Sequence, residues 1–378
     1  MTHSLHRLHG AAAAALVAPV LALTLLGGNA SARDRDSRAP WVAYQGAIRA
    51  GQPGIDGIFL VHPDGSDNHE IATSLPGQHI HPDWSADGRA LVFRADVGDF
   101  PQLYLMHPLT DPAGRHALQL TQCKAACVQV DDPALSPDGS HVAYVEDTGL
   151  TTVGQLEVPA SFDLRVARIT RHGLTEVHTL VHSQTDSTGP TELVEPRWSP
   201  DGTSLVFWSD HTEPTTAAVD GTVISTIRSD GTHQRTLTAP SLFAGEVDWA
   251  PNGRRLVFDT HPLIVFNFDD VTSNLYTSRP DGTHVRQLTF ATTSQDRSTQ
   301  PRWTPDGRIL YTRVVDTQSR TLWTRNPNGS QPTPIAPGEL RTHGDLQPTP
   351  GRALPPPTAQ QCPPDPAPRA CQCPNQPS

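Results

Sequence analysis

The sequence predicts an all-β protein, a six-bladed β-propeller of four-stranded blades whose ring is closed by its C-terminal strand. Three observations lead to this prediction. A thirteen-residue phrase recurs five times, a second turn signal recurs in step with it, and the two ends of the array complement each other. A period of roughly fifty residues is typical of propeller blades or of a solenoid.

The recurring phrase has the chemistry of a β-hairpin. Its clearest copy is Glu195-Pro-Arg-Trp-Ser-Pro-Asp-Gly-Thr-Ser-Leu-Val-Phe207, and the five copies begin at His81, Asp132, Glu195, Glu246 and Gln300. Pro-Asp-Gly forms a turn because proline presets its backbone angle, aspartate bonds the backbone ahead and glycine accepts a positive φ. Runs of aromatic and β-branched residues on either side supply the two strands.

A second hairpin signal follows a short strand in every unit. Its six turns are Pro63-Asp-Gly65, Pro112-Ala-Gly114, His172-Gly173, Ser229-Asp-Gly231, Pro280-Asp-Gly282 and Pro327-Asn-Gly329. Each unit therefore contains four strands, two from each hairpin.

The two ends of the array predict closure. The first unit begins at Trp41–Tyr44 without the phrase, and Gly344–Pro350 repeats the start of the phrase without its turn. In a closed ring, a strand around Gln347-Pro348 completes the blade begun at Trp41–Tyr44. An open solenoid would instead need capped ends. We assign residues 33–350 to the propeller.

One aromatic position of the phrase is predicted to form the core. Trp84, Trp198, Trp249 and Trp303 occupy equivalent places, with Leu135 in the third copy. Packing an indole between neighbouring sheets contributes at most about 4–6 kcal/mol. We interpret these residues as packing between blades rather than as a ligand cage.

The two termini are predicted to lie outside the propeller. Residues 11–26 are apolar and Ala30-Ser31-Ala32 matches a cleavage site, so we assign residues 1–32 to a signal peptide cut after Ala32. A membrane anchor is disfavoured because the apolar run is short and contains Pro19. Residues 351–378 are rich in proline and cysteine, and we assign them to a disordered tail. The mature protein is then periplasmic or secreted, without stable insertion in a membrane.

The cysteines and the charge narrow the environment and the partners. Five cysteines fit an exported protein. Cys123 and Cys127 share one loop, while Cys362, Cys371 and Cys373 lie in the tail, and their pairing is left open. A formal net charge of −11 argues against binding to nucleic acid. It is compatible with cationic or neutral partners.

The paired signals resemble the TolB-type (WD40-like) β-propeller repeat. The resemblance rests on Pro-x-Trp-Ser-Pro-Asp-Gly and on the later Asp-Gly…Leu-Thr, and it covers residues 41–350. It implies a propeller, export to the cell envelope and non-catalytic binding of a protein, as in the periplasmic Tol system. We expect no counterpart of the α/β domain that precedes the propeller in TolB. We expect a monomer with a protein partner.

The residue before the proline of each phrase is predicted to line one mouth of the central channel. These residues are His81, Asp132, Glu195, Glu246, Gln300 and Gln347. Such a ring suits a cation or a basic group of a partner, and its oxygen ligands favour Ca²⁺ over zinc. Alternatively, the channel holds water and its acids pair with Arg197 and Arg302. His79 and His81, two apart on a strand, are a weak candidate for a transition metal.

Three long loops are predicted at the same mouth, at residues 147–161, 209–222 and 259–272. The last contains Leu263, Ile264, Val265, Phe266 and Phe268. This apolar run either extends the sheet of its blade or forms a contact patch for a protein partner.

The sequence contains no motif that indicates catalysis, such as GxSxG or HExxH. We therefore favour an exported, non-catalytic propeller that acts as a protein-binding scaffold and needs no cofactor. The alternatives are a propeller enzyme at the channel mouth, either a metal-dependent hydrolase or a polysaccharide lyase, and an envelope glycan-binding protein.

Overall fold

The computed structural model describes residues 40–47, 56–124, 126–154, 156–212, 219–260, 272–293, 296–315, 320–335 and 341–348. The predicted signal peptide, the tail and the apolar run from Leu263 to Phe268 lie outside these residues. The described part is all-β, with six antiparallel four-stranded sheets and one 3₁₀ turn at Pro240–Leu242. No helix in it is long and apolar enough to cross a membrane.

Each sheet is one blade, and blades are numbered along the chain. Blade 1 contains, from the innermost strand outward, β24 (Arg341–Leu346), β1 (Val42–Ala47), β2 (Asp56–Val61) and β3 (His69–Ile71). Blade 2 contains β4 (His79–Trp84), β5 (Leu91–Ala95), β6 (Gln102–Met106) and β7 (Leu118–Gln119). Blade 3 contains β8 (Cys127–Leu135), β9 (His141–Val153), β10 (Leu156–Thr170) and β11 (Gly173–Gln184).

The remaining blades follow the same order. Blade 4 contains β12 (Thr191–Trp198), β13 (Ser204–Thr212), β14 (Val219–Arg228) and β15 (Arg235–Thr236). Blade 5 contains β16 (Ala244–Trp249), β17 (Leu256–Thr260), β18 (Asn274–Ser278) and β19 (Arg286–Gln287). Blade 6 contains β20 (Arg297–Trp303), β21 (Ile309–Val314), β22 (Arg320–Arg325) and β23 (Thr333–Ile335). The innermost strands contact one another in the circular order β4, β8, β12, β16, β20, β24.

The ring closes through blade 1, and this part of the prediction is confirmed. Strand β24 pairs antiparallel with β1, so that Val42 lies opposite Leu346. Beyond the strand, the Gln347 backbone N–H donates to the Trp41 carbonyl at 2.7 Å, and the Trp41 N–H donates to Gln347 Oε1 at 3.1 Å. The closing strand ends at Leu346, so Gln347 fastens it rather than lying within it.

The recurring phrase folds as the sequence predicts. In blade 4 its turn joins β12 to β13, with Gly202 at φ 70° and its N–H bonded to the Ser199 carbonyl at 2.8 Å. Asp201 accepts hydrogen bonds from the Ser199 hydroxyl at 2.6 Å and from the Thr203 N–H at 3.0 Å. The aspartate therefore stabilises the turn from both sides, which explains its place in the phrase.

The core consists of clusters between neighbouring sheets. Trp84 is 5% exposed and packs against residues of blades 1 and 2, while Trp198, Trp249 and Trp303 are partly buried at the equivalent places. Phe93, Phe207 and Phe258, at the end of the phrase, are fully buried. These positions bind adjacent blades together by burying apolar surface.

A disulfide joins Cys123 to Cys127 immediately before and at the start of β8. It is one of the pairings that the sequence leaves open. Both sulfurs are buried between blades 2 and 3, so the bond fixes the entry of the chain into blade 3.

We predict that the closing strand is essential for folding. A chain ending at Leu340 loses β24 and leaves the edge of β1 unpaired, whereas a chain ending at Pro348 keeps every described strand. We expect the second to retain the melting temperature of the mature protein within about 2 °C, and the first to lose cooperative unfolding. Circular dichroism during heating checks this, and a cooperative transition in the shorter chain would contradict it.

Candidate functional site

Each innermost strand carries one residue in the left-handed backbone region. These six, hereafter the ring residues, are His81, Asp132, Glu195, Glu246, Gln300 and His343, with φ between 44° and 56°. The pairing register shifts at this point in all six blades, so each ring residue lies in a β-bulge. The same local distortion therefore places one side chain of every blade at the channel.

Five ring residues are those chosen from the sequence, and the sixth requires a correction. Gln347 lies outside the ring, is 2% exposed, and fastens blade 1 to blade 2 by donating from Nε2 to the Gly88 carbonyl at 2.5 Å. His343 takes its place. Blade 1 has Gly344 where most phrases have proline, because a Cβ there would lie 2.9 Å from Leu322. Aligning Pro348 with the prolines of the other phrases therefore selected Gln347 instead of His343 as the sixth residue.

The first group at the mouth is a network of ion pairs around His81. Its Nδ1 lies 2.7 Å from Asp131 Oδ1 and 2.7 Å from Asp132 Oδ1. The Arg94 guanidinium bonds the other oxygen of Asp131. Burial disfavours the charged imidazole, but the two carboxylates outweigh it and raise the pKa of His81 well above its usual range. Arg94 also bonds Asp96 at 2.9 Å, so two cations contact three carboxylates.

The second group lies across the channel and contains Glu195, Glu246 and His343. Glu195 Oε1 is 3.5 Å from His343 Nε2, and Glu195 Oε2 is 3.6 Å from Arg302 Nη2. Glu246 Oε2 accepts a hydrogen bond from the Thr299 hydroxyl at 3.1 Å. The rings of His81 and His343 are 4.7 Å apart, so the two groups adjoin.

The surroundings shift the pKa values of Glu195, Glu246 and His343 in different directions. Burial opposes ionisation of Glu195, but His343 and Arg197 lower its pKa to about 2. Burial and the neighbouring Asp259 raise the pKa of Glu246 well above its usual range. Burial lowers the pKa of His343. The site therefore combines an ionised glutamate with a neutral imidazole near neutral pH.

A cavity of about 320 Å³ opens over both groups. Its acidic lining residues are Asp131, Asp132, Asp147, Glu192, Glu195 and Glu246, and its basic ones are His81 and His343. Among the described residues that line it, none is lysine or arginine. The cavity is therefore acidic, with a partly apolar wall that includes Phe162 and Trp208.

Three acids near the cavity rim, hereafter the rim acids, have few cationic neighbours among the described residues. They are Asp147, Glu192 and Asp210. Glu192 on β12 lies directly opposite Asp210 on β13, and like charges facing each other across a strand pair repel. Burial and Glu192 raise the pKa of Asp147 to about 8 and that of Asp210 to about 7. These residues were absent from the sequence-based candidates because they lie outside the phrase. Asp131 and His343 were missed too, although Asp131 stands next to Asp132.

Arg197 and Arg302 belong mainly to a second layer, two residues beyond the ring. Arg197 Nη1 is 3.3 Å from Asp83 Oδ1, while Arg302 reaches Glu195 only at 3.6 Å. Three aspartates of this layer accept a backbone N–H from the next blade: Asp83 from Leu135 at 2.8 Å, Asp248 from Trp303 at 2.7 Å and Asp345 from Trp84 at 2.7 Å. The arginines therefore do not neutralise the cavity acids as a set.

His79 does not join His81. It is 1% exposed and packs edge-on against Phe93, with ring centroids 5.8 Å apart. The bulge after Ile80 breaks the strand alternation that would have aligned the two imidazoles. Burial lowers the pKa of His79, which favours a neutral residue within the blade.

Two of the three predicted loops are shorter than expected. Residues 147–161 are mostly strand, because β9 and β10 continue as a paired hairpin from Thr151↔Val158 to Val153↔Leu156. In blade 4, β13 extends to Thr212 and β14 begins at Val219, which leaves a short connection. The third loop, with the apolar candidates Leu263, Ile264, Val265, Phe266 and Phe268, lies outside the described residues.

Two trios at the mouth have the donor atoms that a metal ion requires. They are His81 with Asp131 and Asp132, and His343 with Glu195 and Glu246, each with one donor atom per residue within 4.8 Å of the others. The imidazole of the second trio comes from a residue that the sequence did not suggest.

We predict that the rim acids make stability fall as pH rises. The folded-state pKa values of Asp147 and Asp210 exceed the ordinary value, so their contribution is complete below about pH 4 and is lost as pH rises through about 7 to 8. We expect the free energy of unfolding to decrease between about pH 5 and pH 8, by roughly 1 kcal/mol per group and pH unit at most. Urea unfolding at several pH values measures it.

In the double variant Asp147→Asn with Asp210→Asn, the free energy of unfolding should depend less on pH between about pH 5 and pH 8. The control is Asp230→Asn, an exposed turn residue whose pKa is lowered by Thr232, and it should leave the slope between pH 5 and 8 unchanged. A wild-type stability that increases over this interval would contradict the prediction.

No protein-family model and no curated protein matches the chain. Solved structures do match. TolB from Acinetobacter baumannii has a TM-score of 0.57 at 14% identity, over 82% of this chain and 67% of that one. A putative TolB from Agrobacterium tumefaciens has a TM-score of 0.51 at 15% identity, over 80% and 91%. Hydrazine synthase from Kuenenia stuttgartiensis has 0.58 at 13%, over 84% and 48%.

These identities are low, so the likeness concerns the fold and not the activity. The two TolB structures agree with the repeat resemblance seen in the sequence, and the matches extend over most of the described blades. The chain therefore has a TolB-type β-propeller fold with six four-stranded blades.

Proposed function

We propose that this protein is an exported, non-catalytic binding scaffold whose channel-mouth cavity accepts a positively charged side chain of a protein partner. The observation that carries the proposal is the composition of the cavity. Six carboxylates and two histidines line it, and no lysine or arginine is among its described lining residues. Such a site attracts cations and is complementary to a basic protein surface.

The distribution of charge inside the cavity supports binding of a positively charged side chain from a partner. In the network around His81, carboxylates contact two cations, His81 and Arg94. Among the described residues, the charged neighbours of Asp147 and Glu192 are instead other acids. Asp147, only 5% exposed, has a pKa of about 8, which means that ionising it in the free protein is costly. A lysine or arginine inserted between Asp147 and Glu192 would offset that cost, whereas a neutral ligand would not.

Export is the second part of the proposal. It rests on the signal-peptide pattern of residues 1–32 and on the five cysteines. The fold shared with TolB structures supports a place in the cell envelope. Because hydrazine synthase shares the fold equally well, the binding function is argued from the cavity and not from the fold.

An enzyme is the second candidate, and one observation favours it. His81 and His343 lie 4.7 Å apart, with environments that shift their pKa values in opposite directions. A charged and a neutral imidazole side by side could serve as general acid and general base.

The binding function can be tested without knowing the partner. We predict that selection of a random displayed peptide library on the mature protein enriches peptides with lysine or arginine. The double variant Glu192→Gln with Asp147→Asn should bind the selected peptides at least about 30-fold more weakly, which is the factor for ~2 kcal/mol lost at a buried charge pair. Fluorescence anisotropy with synthetic peptides measures the affinity.

The control variant removes the same charge elsewhere. Glu176→Gln with Asp230→Asn changes two acids on the outer surface, at β11 and at a turn of blade 4, and should leave affinity unchanged. Equal weakening in both variants would indicate long-range attraction only. Enrichment of acidic or uncharged peptides would overturn the proposed function.

A further inference from the structure

We propose that Glu195, Glu246 and His343 bind one divalent transition-metal ion at the inner end of the cavity. The proposal goes beyond the binding of a partner and does not depend on it. The trio comes from three blades, since Glu195 lies in β12, Glu246 in β16 and His343 in β24. A metal there would link blades 4, 5 and 1 across the channel.

The spacing of the donor atoms suits an ion. Glu195 Oε1 and His343 Nε2 are 3.5 Å apart, and one donor atom of each of the three residues lies within 4.8 Å of the others. Two ligands that are each ~2.1 Å from one metal are separated by about 3.0–3.4 Å. Small rotations of the side chains would therefore complete three coordination bonds.

A buried oxygen without a hydrogen-bond donor points to the same place. Glu195 is 4% exposed and lines the cavity, yet its Oε2 accepts no hydrogen bond from the described residues. The nearest cationic group, Arg302 Nη2, stays at 3.6 Å, which is longer than a hydrogen bond. Leaving such an oxygen unsatisfied is costly, and a bound cation would satisfy it.

A third carboxylate lies beside the two carboxylates of the trio. Glu195, Glu246 and the fully buried Asp259 lie together, because the Thr299 hydroxyl is within 3.1 Å of Glu246 Oε2 and 2.6 Å of Asp259 Oδ2. Arg302 lies 3.6 Å from Glu195. A cation bound by Glu195 and Glu246 would therefore lie next to a third carboxylate.

The ligands are also held in place by neighbours. Thr299 fixes one oxygen of Glu246. Gln300 accepts the His343 backbone N–H at 3.2 Å, and its amide Nε2 lies 2.8 Å from His343 Nε2, so that nitrogen presents a lone pair. A metal would replace the amide at this lone pair. Neighbours of this kind orient metal ligands in known sites.

The trio around His81 is a weaker site for a metal. Its imidazole and Arg94 already compensate Asp131 and Asp132 at hydrogen-bond distances. An ion would have to displace the proton of His81 and would face the nearby guanidinium. The second trio contains one imidazole and two carboxylates, a donor set that suits Mn²⁺ or Zn²⁺ better than Ca²⁺, whose ligands are oxygen atoms.

The test is metal binding by the mature protein after treatment with a chelator. Calorimetric titration with Zn²⁺, and electron paramagnetic resonance with Mn²⁺, should reveal one site per chain. Glu195→Gln with Glu246→Gln should weaken binding at least about 100-fold, since two of three ligands lose their charge. His343→Gln should weaken it as well, and should remove the nitrogen ligand from the Co²⁺ absorption spectrum.

The matched control is a carboxylate–imidazole pair outside the cavity. His182 Nδ1 lies 2.6 Å from Asp163 on the outer part of blade 3, so His182→Gln with Asp163→Asn should leave the Zn²⁺ affinity unchanged. Thermal melting without metal verifies that each variant folds, and Glu246→Gln alone serves if the double variant does not. Equal affinity in cavity and control variants, or binding of Ca²⁺ alone, would overturn the proposal.

Discussion

Hydrogen bonds that channel carboxylates accept from the backbone of the next blade are the interaction on which the rest of this structure depends. Each innermost strand bulges at a ring residue, and placing a residue other than glycine in the left-handed region costs of order 1–3 kcal/mol. Carboxylates in the channel offset that cost by accepting backbone N–H groups of the next blade. Asp132 Oδ2 accepts the Glu195 N–H at 3.0 Å, and Asp259 Oδ2 accepts the Gln300 N–H at 3.0 Å. Acids in the channel are thus structural as well as electrostatic.

This double use determines which oxygens are available to a ligand. Asp132 binds the neighbouring strand with one oxygen and turns the other toward His81 and the cavity. Asp248 and Asp345, in the second layer, also use one oxygen to accept a backbone N–H of the adjoining blade. The acids at the rim of blades 3 and 4 have fewer such partners. The channel acids that hold neighbouring blades together therefore have fewer oxygens left for a ligand than the acids of blades 3 and 4.

The sequence predicted the architecture well because the fold is encoded in a short repeated phrase. Its turn and its tryptophan require only local chemistry and burial, and the sequence shows the turn five times and the tryptophan four times. The site was predicted less completely. The phrase located five ring residues, but His343 precedes Gly344 instead of a proline, and Glu192 and Asp147 lie in strand extensions that carry no repeat signal. Cross-strand proximity, such as that of Glu192 and Asp210, depends on register, which the sequence does not state.

The contact between Trp41 and Gln347 has a consequence for the connectivity of the protein. These residues stand at opposite ends of the described propeller and are joined by two hydrogen bonds. The chain could therefore begin and end in a different blade without changing which blades are neighbours in the ring. Joining the ends at this point and opening the chain at one of the Pro-Asp-Gly turns would give a circular permutant with the same ring. Each blade that has such a turn could then be the one that holds the new termini, and the acidic mouth would be assembled from the same side chains in a different sequence order.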